Sequence, residues 1–570
     1  MPLKIAGKLL AEFFFKAEAK EDDNGNPYKL WHCNRCSRAY KSYRGYSNLT
    51  AHLGSCIGND FEKQFESHIK DSGHTLKDGK LVGAKQITQK TIDTFAFSND
   101  KEMRAYTWIK WIACRNMPLS EIENPITRSL SKYKAFSIKT IRRYIIATAQ
   151  LVESAIAEEL KAAGVITLLF DGWTADGTTT HYVAVFAGYQ HPVTTEYNEV
   201  LLAISPTLEE TELGAAAHIE LFESTMALYN LTKDNIICVI GDNCSANQSI
   251  SRRWEIPLVG CASHRFNLAV KRWISEQPGL EDALEAVNTL MSKASCLKAA
   301  AELRSLTLEF HGKALAAQSN NVTRWTSTFT MVKRYMRIKD QLETVHSLGD
   351  YCLSPAQNRK IVAAVVHFEV FHSISTELQA KDLDLEHCRL QFDTLLDVDS
   401  YSESMADYIA PTGRIVASPL FESGVVKLIQ GERLSDGEAE ACKKLKKTLP
   451  TENTGNGNRQ MSAVAPVTIQ DRLELNRNKR RKTLAHGSGD YLQVEKIVCA
   501  TSNCCERLFS EAAYIMVPHR RGISPVLFEA LLYLKKNLPY WSINTVAQAM
   551  RMKEEDIRGL ATDDDMHYDE

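Results

Sequence analysis

Val165-Ile-Thr-Leu-Leu-Phe170-Asp171-Gly172-Trp173-Thr174 is the stretch on which the fold turns. A short apolar run leads straight into an acid that opens an Asp-Gly pair. A run of that length reads as a buried strand. Residues 182–186, rich in β-formers, read as a second strand, and 198–204 as a third. Residues 209–228 carry apolar side chains at Leu213, Ala216, Ala217, Ile219, Phe222 and Met226, which is helical spacing. Ile236-Ile-Cys-Val-Ile240 is a fourth buried strand, and 258–261 a short fifth before a helix from about Phe266.

The order through the fourth strand is therefore β-β-β-α-β. Hairpins join the first three strands, and a right-handed crossover sets the fourth beside the first. That is the plan of an RNase H-like α/β mixed sheet. On it, Asp171 follows the first strand and Asp242 lies just past the fourth, so both carboxylates leave the sheet at one edge. Upstream, Ser137 caps a long helix over 138–163 that ends at Gly164. Trp108, Ile109, Trp111 and Ile112 suggest a further buried helical face. Downstream, 276–484 reads as a large, mainly all-α insertion, with helical spacing over 280–306 and 360–378. It includes a loose Asn- and Gly-rich loop at 451–459. The basic cluster at 477–482 suits a DNA contact, a nuclear-import signal or a solvated linker equally. The expected domains are 25–76, 77–163, 164–275, 276–484 and 485–560.

The dense cysteine cluster lies near the front: Cys33-Asn-Arg-Cys36, then His52-Leu-Gly-Ser-Cys56, a C-x2-C-x15-H-x3-C spacing. Zinc takes four such ligands in a tetrahedron. The first pair comes from a tight turn and the second from one helix face. Arg38, Lys41 and Arg44, interleaved with Tyr40, Tyr43 and Tyr46, suit contact with DNA phosphates. A purely structural knuckle is the plainer alternative. His68 and His74 read as incidental, because the first four ligands already close a site.

The chain has 570 residues, 44% hydrophobic and 24% charged, with a net charge of −2. No global field pulls it onto nucleic acid, so any DNA contact comes from local patches. The sequence offers no apolar run long enough for a membrane span. Glu12 interrupts Leu9-Leu10 and Phe13-Phe14-Phe15, and no small-residue cleavage site follows, so no signal peptide is expected. Its 14 cysteines are mostly scattered singly, which argues against a disulfide framework.

Several blocks carry a resemblance. Phe170-Asp171-Gly172-Trp173-Thr174 leading to His181-Tyr-Val is similar to the first catalytic block of the hAT superfamily of DNA transposases. Gly241-Asp242-Asn243-Cys-Ser-Ala-Asn247 resembles the second. Cys261-Ala-Ser-His264 with Asn267-Leu268 resembles the C-x2-H element, and Thr323-Arg324-Trp325 the Arg-Trp block. Thr501-Ser-Asn-Cys-Cys-Glu506-Arg507-Leu-Phe509-Ser510 resembles the block of the third acid, with Cys505 in place of the usual Ser. Met516-Val-Pro518 also departs from the pattern. Arg520-Arg521 through Asn537 is similar to the C-terminal dimerisation region. The blocks stand in family order behind a finger of the BED type and, with it, cover 30–540.

The resemblance implies that Asp171, Asp242 and Glu506 hold magnesium or manganese, and that His264 assists at the scissile phosphate. It implies that Arg324 contacts DNA and that Trp325 stacks on an unpaired base. It also implies double-stranded transposon-end DNA as substrate, a homo-oligomer (at least a dimer) through the C-terminal region, and work in the nucleus. The independent reason for converging acids is electrostatic: they need cations, and hard oxygen ligands suit these metals.

Plainer readings stand beside each residue. Asp171 suits a turn, Asp242 a helix cap, Glu506 a solvated helix face and Trp325 a core. Cys261 and His264 suit a metal pair only weakly. The stripe Leu527, Phe528, Leu531, Leu532, Leu534 suits core or interface, on a helix opened by Ser524 and Pro525. Two rival functions remain: a domesticated DNA-binding regulator without catalysis, and a zinc-finger dimerising scaffold.

Overall fold

The computed structural model describes residues 7–21, 27–34, 36, 38–42, 46–56, 61–62, 65, 74–77, 80–83, 100–131, 133–207, 214–320, 325–381, 383–447 and 490–559. The loop at 451–459, the basic cluster at 477–482, Arg44, His68 and Arg324 lie outside them. The chain divides into two compact units, Met1–Asn99 and Asp100–Glu570.

In the first unit, a helix over Gly7–Phe14 leads into a three-stranded antiparallel sheet of β1 (Phe15–Glu21), β2 (Pro27–Cys33) and β3 (Ala39–Ser42). The Ser47–Cys56 helix follows, then a hairpin of β4 (His74–Lys77) and β5 (Lys80–Gly83). Leu10, Phe14 and Phe15 are buried with Trp31, Leu49 and Leu53. The expected start at residue 25 is therefore too late. The front apolar run supplies much of the core that so small a unit needs.

The second unit is built on a five-stranded mixed sheet of β6 (Ile166–Thr174), β7 (His181–Gln190), β8 (Tyr197–Pro206), β9 (Ile236–Gly241) and β10 (Leu258–Gly260), in the order β10-β9-β6-β7-β8. Strands β6 to β8 form an antiparallel meander, while β9 runs parallel to β6 and β10 parallel to β9. The connection from β8 to β9 includes the Ala215–Leu228 helix. Two expectations shift. Strand β6 runs on past Phe170, so Asp171 lies within it, opposite Ala184 of β7. The helix after β10 also starts earlier than expected, at Ala262, and runs to Glu276.

Helices from Leu280 to Ala441 form the all-α part, including Leu280–Ala294, Trp325–Thr344 and Pro355–Glu377. The predicted 280–306 helix breaks at Ser295-Cys296 and resumes over Leu297–His311. The Ile138–Ala163 helix has its expected ends: Ser137 accepts from the Thr140 N–H, and Gly164 takes a φ of 79°. It packs against the Pro525–Lys536 and Ile543–Ala549 helices. Leu527, Phe528, Leu531, Leu532 and Leu534 are all buried in this chain's own core. Of the two readings of that stripe, the core one holds.

The end of the described chain straps onto the same long helix. Gln150 donates to the Asp556 carbonyl and accepts from the Arg558 N–H, and Glu153 pairs with Arg558. Burial pushes the Glu153 carboxyl up to about 7, against the opposing pull of Arg558. A raised carboxyl favours the protonated folded state, so stability falls as pH rises from the unfolded value near 4.3 toward about 7. Glu153→Gln should flatten that fall. The unfolding midpoint of the wild type should drop more than the variant's between about pH 5 and about pH 8.

Candidate functional site

In the first unit the ligand atoms of Cys33, Cys36, His52 and Cys56 all lie within 4.8 Å of one another. The turn after β2 brings the first two, and one face of the Ser47–Cys56 helix brings the others. Cys33 Sγ lies 4.0 Å from Cys56 Sγ, and Cys36 Sγ lies 3.4 Å from His52 Nε2. With bonds of about 2.3 Å to sulfur and about 2.0 Å to nitrogen, a tetrahedral ion fits those spacings. Burial, with Cys36 and Cys33 alongside, pushes the Cys56 thiol up to about 11. A divalent cation relieves that crowding of sulfurs. His52 Nδ1 is 2.8 Å from the Tyr40 hydroxyl. The Tyr40 hydroxyl thus holds the ring of His52 in place. Arg38 and Lys41 are exposed. His74 opens β4.

In the second unit, register decides which acids meet. Leu169 pairs with Ile240 across β6 and β9. Two residues further along each parallel chain come Asp171 and Asp242. Side chains alternate along a strand. Phe170 packs on Phe222 of the Ala215–Leu228 helix, so Asp171 and Trp173 face the other way. There Trp173 stacks on Phe509 at 5.8 Å with rings 10° apart. Phe509 and Glu506 are three apart on the Asn503–Ala513 helix and share a face. Asp171, Asp242 and Glu506 accordingly line one cleft of about 330 Å³, with His264, Asn267 and Lys271 in its wall. Their oxygens do not gather within 4.8 Å as the ligand atoms of the Cys3His group do, so no single ion takes all three at once.

Backbone bonds hold the far end of the chain to this cleft. The Ala262 N–H donates to the Ala500 carbonyl, and the Cys261 N–H to the Gly241 carbonyl. The Ser502 N–H donates to Cys261 Sγ, and Asn503 Nδ2 to the Leu378 carbonyl. Burial, then the Asp242 carboxylate, holds the Cys261 thiol above its usual range. Cys261 is thus a buried latch, and the weak metal-pair reading with His264 falls. His264 instead places Nδ1 2.8 Å from Asp242 Oδ2. Cys505 is fully buried with Sγ 4.0 Å from the Ala184 carbonyl, on the residue opposite Asp171.

Trp325 also borders the cleft but is 3% exposed. Its indole N–H donates to Ser375, and its ring packs among Phe266, Phe329, Phe368 and Phe371. The core reading holds for Trp325; both faces are too enclosed here for the stacking role. A second acidic group, Asp384, Glu386 and His387, escaped notice in the sequence. Asp384 caps the Leu385–Leu396 helix and pairs with His387 Nδ1 at 2.9 Å, which accounts for the grouping. Lys271 also escaped notice. Its signal is the helical spacing from His264 through Leu268.

No family model matches the chain, and no curated protein matches it either. Among the described residues, no helix is long and apolar enough to cross a membrane.

Tyr40→Phe should weaken zinc binding by about 10–100-fold, read by competition with a chromophoric chelator. At the end of β10, a Cβ on Gly260 would collide with the Asn243 side-chain amide, whose Nδ2 is tied to the Ile415 carbonyl. Gly260→Ala should cost about 1–3 kcal/mol in a denaturant titration.

Proposed function

We propose that this chain is a hAT-type DNA transposase with an RNase H-like core, binding double-stranded transposon-end DNA and cutting and joining it. The observation that carries the reading is the convergence of Asp171, Asp242 and Glu506 on one cleft from three separate elements. An uncompensated group of acids is costly to assemble. A donor set of carboxylates suits magnesium or manganese. Bound there, such ions activate a water or a 3′-hydroxyl and stabilise the leaving oxygen.

Asp171 and Asp242 are held by paired parallel strands, and Glu506 by a helix stacked on the same sheet face. Asp242 orients His264 through Nδ1, leaving Nε2 for the scissile phosphate. The zinc module presents Arg38 and Lys41 to DNA phosphates. The C-terminal region would carry self-association through residues other than its buried stripe. The nucleus is the compartment that fits this activity.

Two rivals are weighed by the same geometry. A dimerising scaffold has no physical need to aim three acids into one cleft. A domesticated regulator would keep the fold and lose turnover, and the departure at Cys505 is the feature that favours it. Yet the Cys505 thiol is fully buried and fills packing space. Purified protein given manganese or magnesium should nick or hairpin labelled DNA bearing flanked transposon ends. Asp242→Ala should lower that rate by more than the roughly 10–100-fold typical of losing an outer-sphere metal partner. Tight binding with no cleavage under either metal would transfer the reading to the regulator.

A further inference from the structure

We propose that Lys271 is a DNA-phosphate contact that fixes the strand across the acidic cleft, an assignment that rests on the nuclease reading of that cleft. The floor of the cleft is acidic, so the DNA backbone needs a cation of the protein's own to settle against it. Among the described residues lining the cleft, Lys271 is the one Lys or Arg. It is exposed, and no hydrogen bond or ion pair among the described residues engages it. The adjacent Arg272, by contrast, is taken by Glu276 at 2.7 Å. The other basic group in the wall, His264, is held by Asp242. A lysine kept unpaired beside three carboxylates is placed to meet an anion from outside.

The helix sets its reach. His264, Asn267, Leu268 and Lys271 lie along one face of Ala262–Glu276 and all border the cleft. Seven residues at about 1.5 Å each separate His264 from Lys271 by about 10 Å. That is at most about three base steps along a duplex axis. Lys271 therefore holds a flanking phosphate while His264 and the acids address the scissile one. A lysine ammonium is a point charge, so the contact positions the strand and reads no sequence.

The test uses the full-length protein, a labelled duplex with a central nick, and calcium, which takes the same oxygen ligands. DNA should shield Lys271 from acylation, read by mass spectrometry, and leave the exposed Lys298 unshielded. Lys271→Ala should raise Kd by about 3–10-fold and reduce the slope of log Kd against log salt by about 0.9. Lys271→Arg should restore both, and Lys298→Ala should change neither. Equal acylation of Lys271 with and without bound DNA overturns the proposal, as does an unchanged slope in a folded Lys271→Ala protein. Shielding of Lys271 without cleavage under magnesium or manganese would remove the nuclease reading and keep the contact. Cleavage with Lys271 unshielded would do the reverse, and no binding at all would remove both.

Discussion

Parallel pairing of β6 with β9 is the constraint on which the larger unit depends. Parallel neighbours cannot be joined by a hairpin, so the chain must leave the sheet and return. The Ala215–Leu228 helix lies in that return, and its Phe222 packs on Phe170. The register that buries Leu169 beside Ile240 then brings Asp171 and Asp242 together. Carboxylates brought toward one another repel, more strongly as water is excluded from around them. Local groups soften that cost without removing it. The Gly172 N–H donates to Asp171, and His264, in the first turn of a helix, engages Asp242. The helix N-terminus adds its own favourable field for an anion.

The third acid poses a different problem, because a large helical segment separates it from the first two. Closing a longer loop costs only slowly more entropy, so the insertion is tolerable provided both of its ends are pinned. They are pinned to the same place. Ala262 reaches Ala500 and Cys261 meets Ser502 at the return, while Ala500 also bonds Leu383 within the insertion. The body of the insertion is tied in as well. Arg265, 4% exposed, pairs with Glu422 at 2.8 Å and donates to the Tyr408 carbonyl, and the Leu258 N–H donates to Ser418. Insertion and sheet therefore share one continuous core. A break among the helices would be felt at the acids.

Much of this was legible in the sequence because it rests on local signals. Apolar runs of strand length gave the meander and the returning strand. Ser137 and Gly164 bounded the long helix, and cysteine spacing gave the Cys3His cluster. What stayed illegible is set by tertiary packing. Nothing local says that β6 continues through Asp-Gly, since its outer half is held by pairing with β7 and by Trp173 stacking on Phe509. Burial of Trp325 depends on Phe368 and Phe371 from a helix well downstream. A lone helical Glu506 carries no signal of its own, and its placement comes from Trp173 stacking on Phe509. The use of Tyr40 to orient His52 depends on a strand meeting a helix, which spacing alone does not reveal.

The C-terminal helices show how one apolar pattern serves two readings. An apolar stripe on a terminal helix reads equally as a dimer face or as core. Here Asn537 bonds both the N–H and the carbonyl of Leu201 in β8, and Glu529 accepts from the Ile204 N–H and from Ser205. Arg142 reaches Ser524 from the long helix, and Arg520 the Asn116 carbonyl. Removing the Pro525–Lys536 helix would therefore strip one side of β8 and leave buried polar groups without partners, at about 1–3 kcal/mol each. Loss of self-association in a protein truncated there would follow from unfolding alone. It would carry no information about a dimer face unless the sheet were shown to remain intact.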